Sequence, residues 1–264
     1  MDEVALAVQF QPNAIDYMQA AAFRDRIKSS FPNRQEQLAR PPMQEDFAAI
    51  SAGPAIQVEF VEAPTMPRFW FVSADDSRLI QLQHDLLAFN WRRRPETGDY
   101  PRYTPVLAPA IADHLRTLEA LVADEQRPTL EPNWCEVTYV NHIAPDEGET
   151  TRVPLSVVFA GVSIPRSDSF LPEIEDAQFL FRFVIPGKHS PLGRLNVATR
   201  AGTRLSDGVP IWATTLTARV MARPGSGIDG ALEALNVGHE WVVKGFDELT
   251  SPDMHERWEE EEPS

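Results

Sequence analysis

Hydrophobic and polar positions alternate most clearly between residues 68 and 94, RFWFVSADDSRLIQLQHDLLAFNWRRR. Arg68 to Ser73 reads as a strand, and Asp75-Asp76 as a hairpin turn, because short acidic side chains bond their own backbone there. Ile80 and Leu82 then share one face while Gln81 and Gln83 point to the other. After a break at His84-Asp85, Leu87, Phe89 and Trp91 resume the alternation, with Ala88, Asn90 and Arg92 opposite. Upstream, residues 2 to 10 form a strand with Val4, Leu6 and Val8 on one face. A helix follows, capped at Asn13, with Asp16 near its N-terminal dipole and a stripe of Ile15, Met18, Ala22, Phe23 and Ile27. Pro32 ends it. Residues 32 to 54 read as a long connection with a helical turn near Gln44 to Ile50, and Ala55 to Val61 as another strand.

Leu107, Ile111, Leu115, Leu118 and Val122 recur at three or four residues, which predicts a helix over 105–125 with Pro105 and Pro109 in its first turns. Strand-like runs then cover 134–142, 153–163, 176–186, 192–201 and 210–222. Ser226 and Asp229 make a capping-box-like start to a helix carrying Ile228, Leu232, Leu235, Val242, Phe246 and Leu249. Ser251-Pro252-Asp253 begins a last short helix. Strands joined by short loops pair antiparallel. The predicted fold is therefore α+β, with two similar units that suggest an internal duplication. Each is a curved antiparallel sheet packed on a long amphipathic helix. Periodicity is lost between Ala123 and Asn133, so the expected units are 1–128 and 129–250, with a short helix and acidic tail over 251–264.

Charge narrows the functional classes. The chain of 264 residues carries a net charge of −15. Residues 247–264 hold eight acids against Arg257 alone. Such a surface repels phosphate backbones, which disfavours nucleic acid as a partner. No apolar run reaches the ~20 residues of a membrane span, and the start MDEVALAVQF has no basic, signal-like segment. The single cysteine, Cys135, forms no internal disulfide and reads as a small buried hydrophobe. These features predict a cytoplasmic protein. Only three of 24 basic residues are lysine, a bias expected of a GC-rich bacterial genome.

The segment RLIQLQHDLLAFNWRR, followed by YPRY, an apolar helix and EVTYVNHI, resembles a sporadically distributed bacterial family of about this length. The ending HEWVVKGFDELTSPDMHERW is similar to that family's C-terminal pattern, so the resemblance covers essentially the whole chain. The family is functionally uncharacterised. The resemblance therefore implies a fold and an accessory role, such as a conflict system or its neutralising partner, and no catalytic residues.

Candidate chemistry is sparse. The six histidines (84, 114, 142, 189, 239 and 255) form no HxH or HExxH spacing, so neither a metal site nor a cofactor is expected. His239 and Glu240 are adjacent on a helix and diverge by about 100°. No GxSxG elbow or GxxxxGK[ST] loop is present. Arg92, Arg93 and Arg94, with Arg102 nearby, form either structural salt links or a patch for an acidic segment or phosphate. Asn90 requires hydrogen-bond partners if buried. Gln81 and Gln83 are expected to be solvated, or, if both sheet faces are covered, to line a polar cavity.

The leading expectation is a non-enzymatic interaction protein that neutralises or scaffolds another protein. The alternative is a small-molecule or catalytic pocket between sheet and helix, drawing on Gln81, Gln83, Asn90, His142 and Arg182. Deleting residues 259–264 should leave the cooperative thermal melt unshifted; a drop of many degrees in circular dichroism would refute a solvated tail.

Overall fold

The computed structural model describes residues 1–47, 66–124, 128–162, 170 and 176–260. Their strands are β1 (Glu3–Phe10), β2 (Asn33–Gln37), β3 (Arg68–Val72), β4 (Arg78–Gln83), β5 (Leu86–Arg92), β6 (Pro132–Ile143), β7 (Gln178–Ile185), β8 (Gly193–Thr203) and β9 (Pro210–Met221). The helices are α1 (Tyr17–Ile27), α2 (Ala108–Asp124), α3 (Leu155–Val158), α4 (Gly227–Leu249) and α5 (Pro252–Glu260), and one π-helical turn spans Tyr103–Leu107. All nine strands join one sheet in the order β2-β3-β4-β5-β1-β6-β9-β8-β7. Every neighbouring pair is antiparallel. The fold is α+β with an antiparallel sheet, as its alternation predicted.

β1 lies at the centre. Leu6 is opposite Phe89 of β5 on one side and Val137 of β6 on the other. Outward from the β1–β6 pair, each flank runs backward through the chain: β5, β4, β3 and β2 on one side, β9, β8 and β7 on the other. The expected boundary near residue 128 therefore falls between β5 and β6, yet the sheet continues across it. One hydrophobic cluster also spans both parts, from Val4, Leu6 and Phe23 through Leu115 to Leu216 and Leu235.

α1, α2 and α4 cover one sheet face. Ile111, Leu115, Leu118 and Val122 of α2 are all buried, as their spacing requires. α4 packs on β6 and β9, coming so close that a Cβ at Gly238 would sit 3.0 Å from Val137. The cap of α1 is Asp16, not Asn13. Asp16 accepts from Met18 and Gln19, and Gln19 returns the bond to Asp16 N–H at 2.8 Å; Asn13 instead takes a left-handed turn conformation with φ of 57°. α4 lacks the expected capping box too, because the Ser226 hydroxyl donates to the Arg223 carbonyl. Ser251 does cap α5, accepting from Met254 N–H at 3.2 Å.

Two expected elements differ. The connection after α1 contains β2, an edge strand of polar residues without alternation. The run near 153–163 holds the short helix α3, not a strand, and its Phe159 bridges to Thr250. The expected strand Ala55 to Val61 and residues 48–50 of the expected helical turn lie outside the described residues. Residues 44–47 are not helical. Asp75 makes the expected turn, accepting from Ser77 N–H at 3.1 Å and from the Ser73 and Ser77 hydroxyls, bonds that hold its carboxyl down to about 2.

The second sheet face is polar, and residues 38–47 cross it as a strap. Gln9 donates to the Met43 carbonyl at 3.1 Å and accepts from its N–H. Gln83 does the same for Arg40, at 3.0 and 2.9 Å. Each amide thus imitates a strand neighbour, satisfying one N–H and one C=O of the strap. Met43 is buried against Ala7, Leu86 and Ala88. Glu136 pairs with Arg40 and Arg219, and Glu45 with Arg194 and Arg219. Gln83 is buried beneath the strap at 1% exposure, and Gln81, which bonds Asn90, is buried at 6%, which corrects the expectation that they are solvated.

Tight strand approach gives a direct test. A Cβ at Gly193 would lie 2.0 Å from the Arg219 carbonyl oxygen, whereas one at Gly202 meets nothing nearer than 3.8 Å. Gly193→Ala should destabilise the protein by about 2 kcal/mol or more in urea unfolding, and Gly202→Ala by less than about 0.5 kcal/mol.

Candidate functional site

The arginine run ends β5, where the chain leaves the sheet. Arg92 and Arg94 both reach back to Asp76 in the β3–β4 turn, at 2.5 and 2.6 Å. Arg93 is exposed and forms no ion pair among the described residues. With His142, Asp2, Arg204 and Asp207, the three arginines border an open cleft of about 710 Å³. Its charges are largely matched internally. Arg204 bonds Asp207 at 2.6 Å. Asp2 accepts from His142 N–H at 2.8 Å and faces its ring at 3.4 Å. Burial opposes ionisation of Asp2, but the bonds from His142 hold its carboxyl below the usual range.

Behind the cleft runs a buried amide chain. Gln81 donates to Asn90 at 2.7 Å, and Asn90 donates to Glu3 at 2.7 Å. The Gln81 carbonyl oxygen has no partner among the described residues. Gln83 belongs to the strap, away from this chain. Arg102 does not border the cleft; it starts the π-helical turn with φ of 55°. The structure therefore gathers Arg92, Arg93, Arg94 and His142, links Asn90 and Gln81 behind them, and separates Gln83 and Arg102.

A second candidate lies at the far sheet edge. β7, QFLFRFVI, pairs with β8 on one side only. Its outer main chain makes no hydrogen bond among the described residues. Leu180, Phe183 and Val184 are 51%, 39% and 49% exposed. The opposite edge, β2, is NRQEQ, with Arg34 and Glu36 paired at 3.2 Å, the polar guard that discourages strand addition. β7 has only Arg182 for such a guard. Beside β7, Phe183, Leu195 and Trp241 line a groove of about 470 Å³ against α4, rimmed by Glu240, Lys244 and Glu248. Gly245 makes the room, since a Cβ there would sit 2.6 Å from Leu195. The strand itself matches the run expected over 176–186; its place at the edge depends on strand order, which no local pattern carries.

Other ionisable groups are buried in the helical layer. Tyr139 bonds Tyr100 at 2.7 Å and His239 at 2.9 Å, and Tyr103 stacks on His239 with centroids 3.8 Å apart. Burial raises the pKa of both Tyr139 and Tyr103 and lowers that of His239. Burial likewise raises the Cys135 thiol. His114 of α2 sits among Phe23, Phe31 and Phe89, with centroids 5.6 to 6.3 Å away. Burial lowers its pKa to about 4. Among the described residues no three His, Cys, Asp or Glu side chains gather as a metal site, and no helix is long and apolar enough to cross a membrane. No family model, curated protein or solved structure matches the chain.

His114 gives stability a pH dependence. Its folded pKa lies below the unfolded value, so its contribution is complete above about pH 6.5 and is lost as pH falls toward 4. Nearby Asp113 and Arg78 oppose one another in this shift. Urea unfolding should show a loss of up to ~3 kcal/mol over that interval, and His114→Phe should flatten that part of the profile.

Proposed function

We propose that the chain is a non-enzymatic interaction protein that accepts an extended segment of another protein along β7. The observation that carries this reading is the unguarded apolar edge. Along its eight residues, alternate main-chain donors and acceptors face away from β8 with no partner among the described residues, beside exposed Leu180, Phe183 and Val184. Added strands gain affinity from main-chain bonds and specificity from pockets that take alternate side chains. The groove of Phe183, Leu195 and Trp241 suits one aliphatic or aromatic side chain of such a segment.

Charge selects the partner. Glu240 and Glu248 rim the groove, and the whole chain carries −15, so the favoured segment has basic residues flanking its apolar ones. A second copy of this chain fits less well, because it brings the same negative charge and a second Arg182 to the edge. The resemblance to a bacterial accessory family supports a neutralising or scaffolding role. The mirrored strand order on either side of β1–β6 supports the reading of two duplicated α+β units. The end that pairs in the first unit is then extended by β2, and in the second is left open for the partner.

The double variant Leu180→Lys/Val184→Lys places gatekeeper charges on the exposed side of β7. It should keep the wild-type melting temperature and lose a stoichiometric partner recovered from native extract. Hydrogen exchange on the wild-type complex should slow at the β7 amides. Retention of the partner by the variant, or protection elsewhere with β7 unchanged, would overturn the proposal.

A further inference from the structure

On the β5 side of the central strand, a cleft of about 580 Å³ opens between the end of α1, the face of β5 and α2. Its apolar wall comes from Phe31, Phe89, Trp91 and Leu107, and His114 reaches into it from α2. We propose that this cleft binds an uncharged, flat heteroaromatic molecule that exchanges hydrogen bonds with the His114 imidazole.

Three observations converge. The His114 ring is enclosed by Phe23, Phe31 and Phe89, yet it makes no hydrogen bond among the described residues. Other polar groups in this layer are partnered: Tyr103 donates to Asn236 at 2.9 Å, and Tyr139 bonds His239 at 2.9 Å. The His114 imidazole is half-buried, and its ring nitrogens make no hydrogen bond to the described residues, so one donor and one acceptor remain available to a molecule in the cleft. Aromatic walls favour a flat ring, which stacks or meets them edge to face.

The rim argues for a neutral ligand. Arg26 and Arg78 line the mouth together with Asp75, Glu96 and Asp113, so neither sign dominates. Asp75 is already occupied by Ser73 and Ser77. The Arg78 guanidinium lies over Phe31, 5.7 Å from its centroid, and closes the aromatic wall at that side. The imidazole itself is uncharged at neutral pH, its burial having lowered its pKa. It therefore offers a hydrogen-bonding edge and no countercharge. The size of the cleft falls within the roughly 300–1,000 Å³ usual for small-molecule sites.

Benzimidazole is a suitable probe: flat, uncharged at pH 7.5, with one N–H donor and one ring-nitrogen acceptor. Calorimetry on the full chain should give saturable 1:1 binding, with 2-naphthoate, flat but anionic, at least about tenfold weaker. His114→Phe keeps the aromatic volume and removes both nitrogens; it should weaken benzimidazole by about tenfold or more. Ala110→Phe fills the cleft from the surface of α2 and should abolish binding while the melting temperature is retained. Equal affinity for the two probes, wild-type affinity in either variant with the fold intact, or no saturable binding by the wild-type protein would overturn the proposal.

Discussion

The structure depends on the antiparallel pairing of β1 with both β5 and β6. β1 is a strand of only eight residues, but among the described residues it alone joins the two flanks of the sheet. Val4, Leu6, Val8 and Phe10 are all at or below 1% exposure, so this strand contributes its entire apolar face to the core. The register decides everything beyond it. A slip of one residue would turn those four side chains away from the helices and send Ala5, Ala7 and Gln9 inward. Gln9 would then leave the strap, and the layer of α1, α2 and α4 would lose part of its floor.

The two faces of the sheet are stabilised by different physics. The helical face is held by apolar burial, which is non-directional and tolerates variation in detail. The other face is held by amides and ion pairs with fixed geometry. Glu136, Glu45, Arg40, Arg194 and Arg219 form a connected set. Removing one member would strand the others in a partly dehydrated setting, a larger cost than the loss of any single exposed pair. Gln9 and Gln83 add directionality, since each matches one strap residue through both its donor and its acceptor.

Strands and long helices were legible because their signals are local. The alternation of Phe179, Phe181 and Phe183 and the stripe of Ile111, Leu115, Leu118 and Val122 state their own conformation. The α1 cap was misassigned to Asn13, although Asp16 is followed three residues later by Gln19 in capping-box spacing. β2 had no pattern to read, being polar on both faces. The burial of Gln83 depends on a segment some forty residues earlier, and no window around β4 contains it. The same holds for the open edge of β7. His114 carried a trace: it lies three residues after Ile111 and four before Leu118, so it belongs to the buried stripe of α2. Only the structure shows that this histidine opens onto a cleft.

The central position of β1 also bears on how the chain is made. β1 leaves the ribosome well before either partner, since its pairings bring residue 3 opposite residues 92 and 140. Until β5 emerges, an apolar strand and the amphipathic α1 behind it have no sheet to join. Pairings of such long sequence separation are slow to close and exposed to aggregation meanwhile. The rate of synthesis between β1 and β5, or a chaperone that shelters this segment, would thus bear on yield.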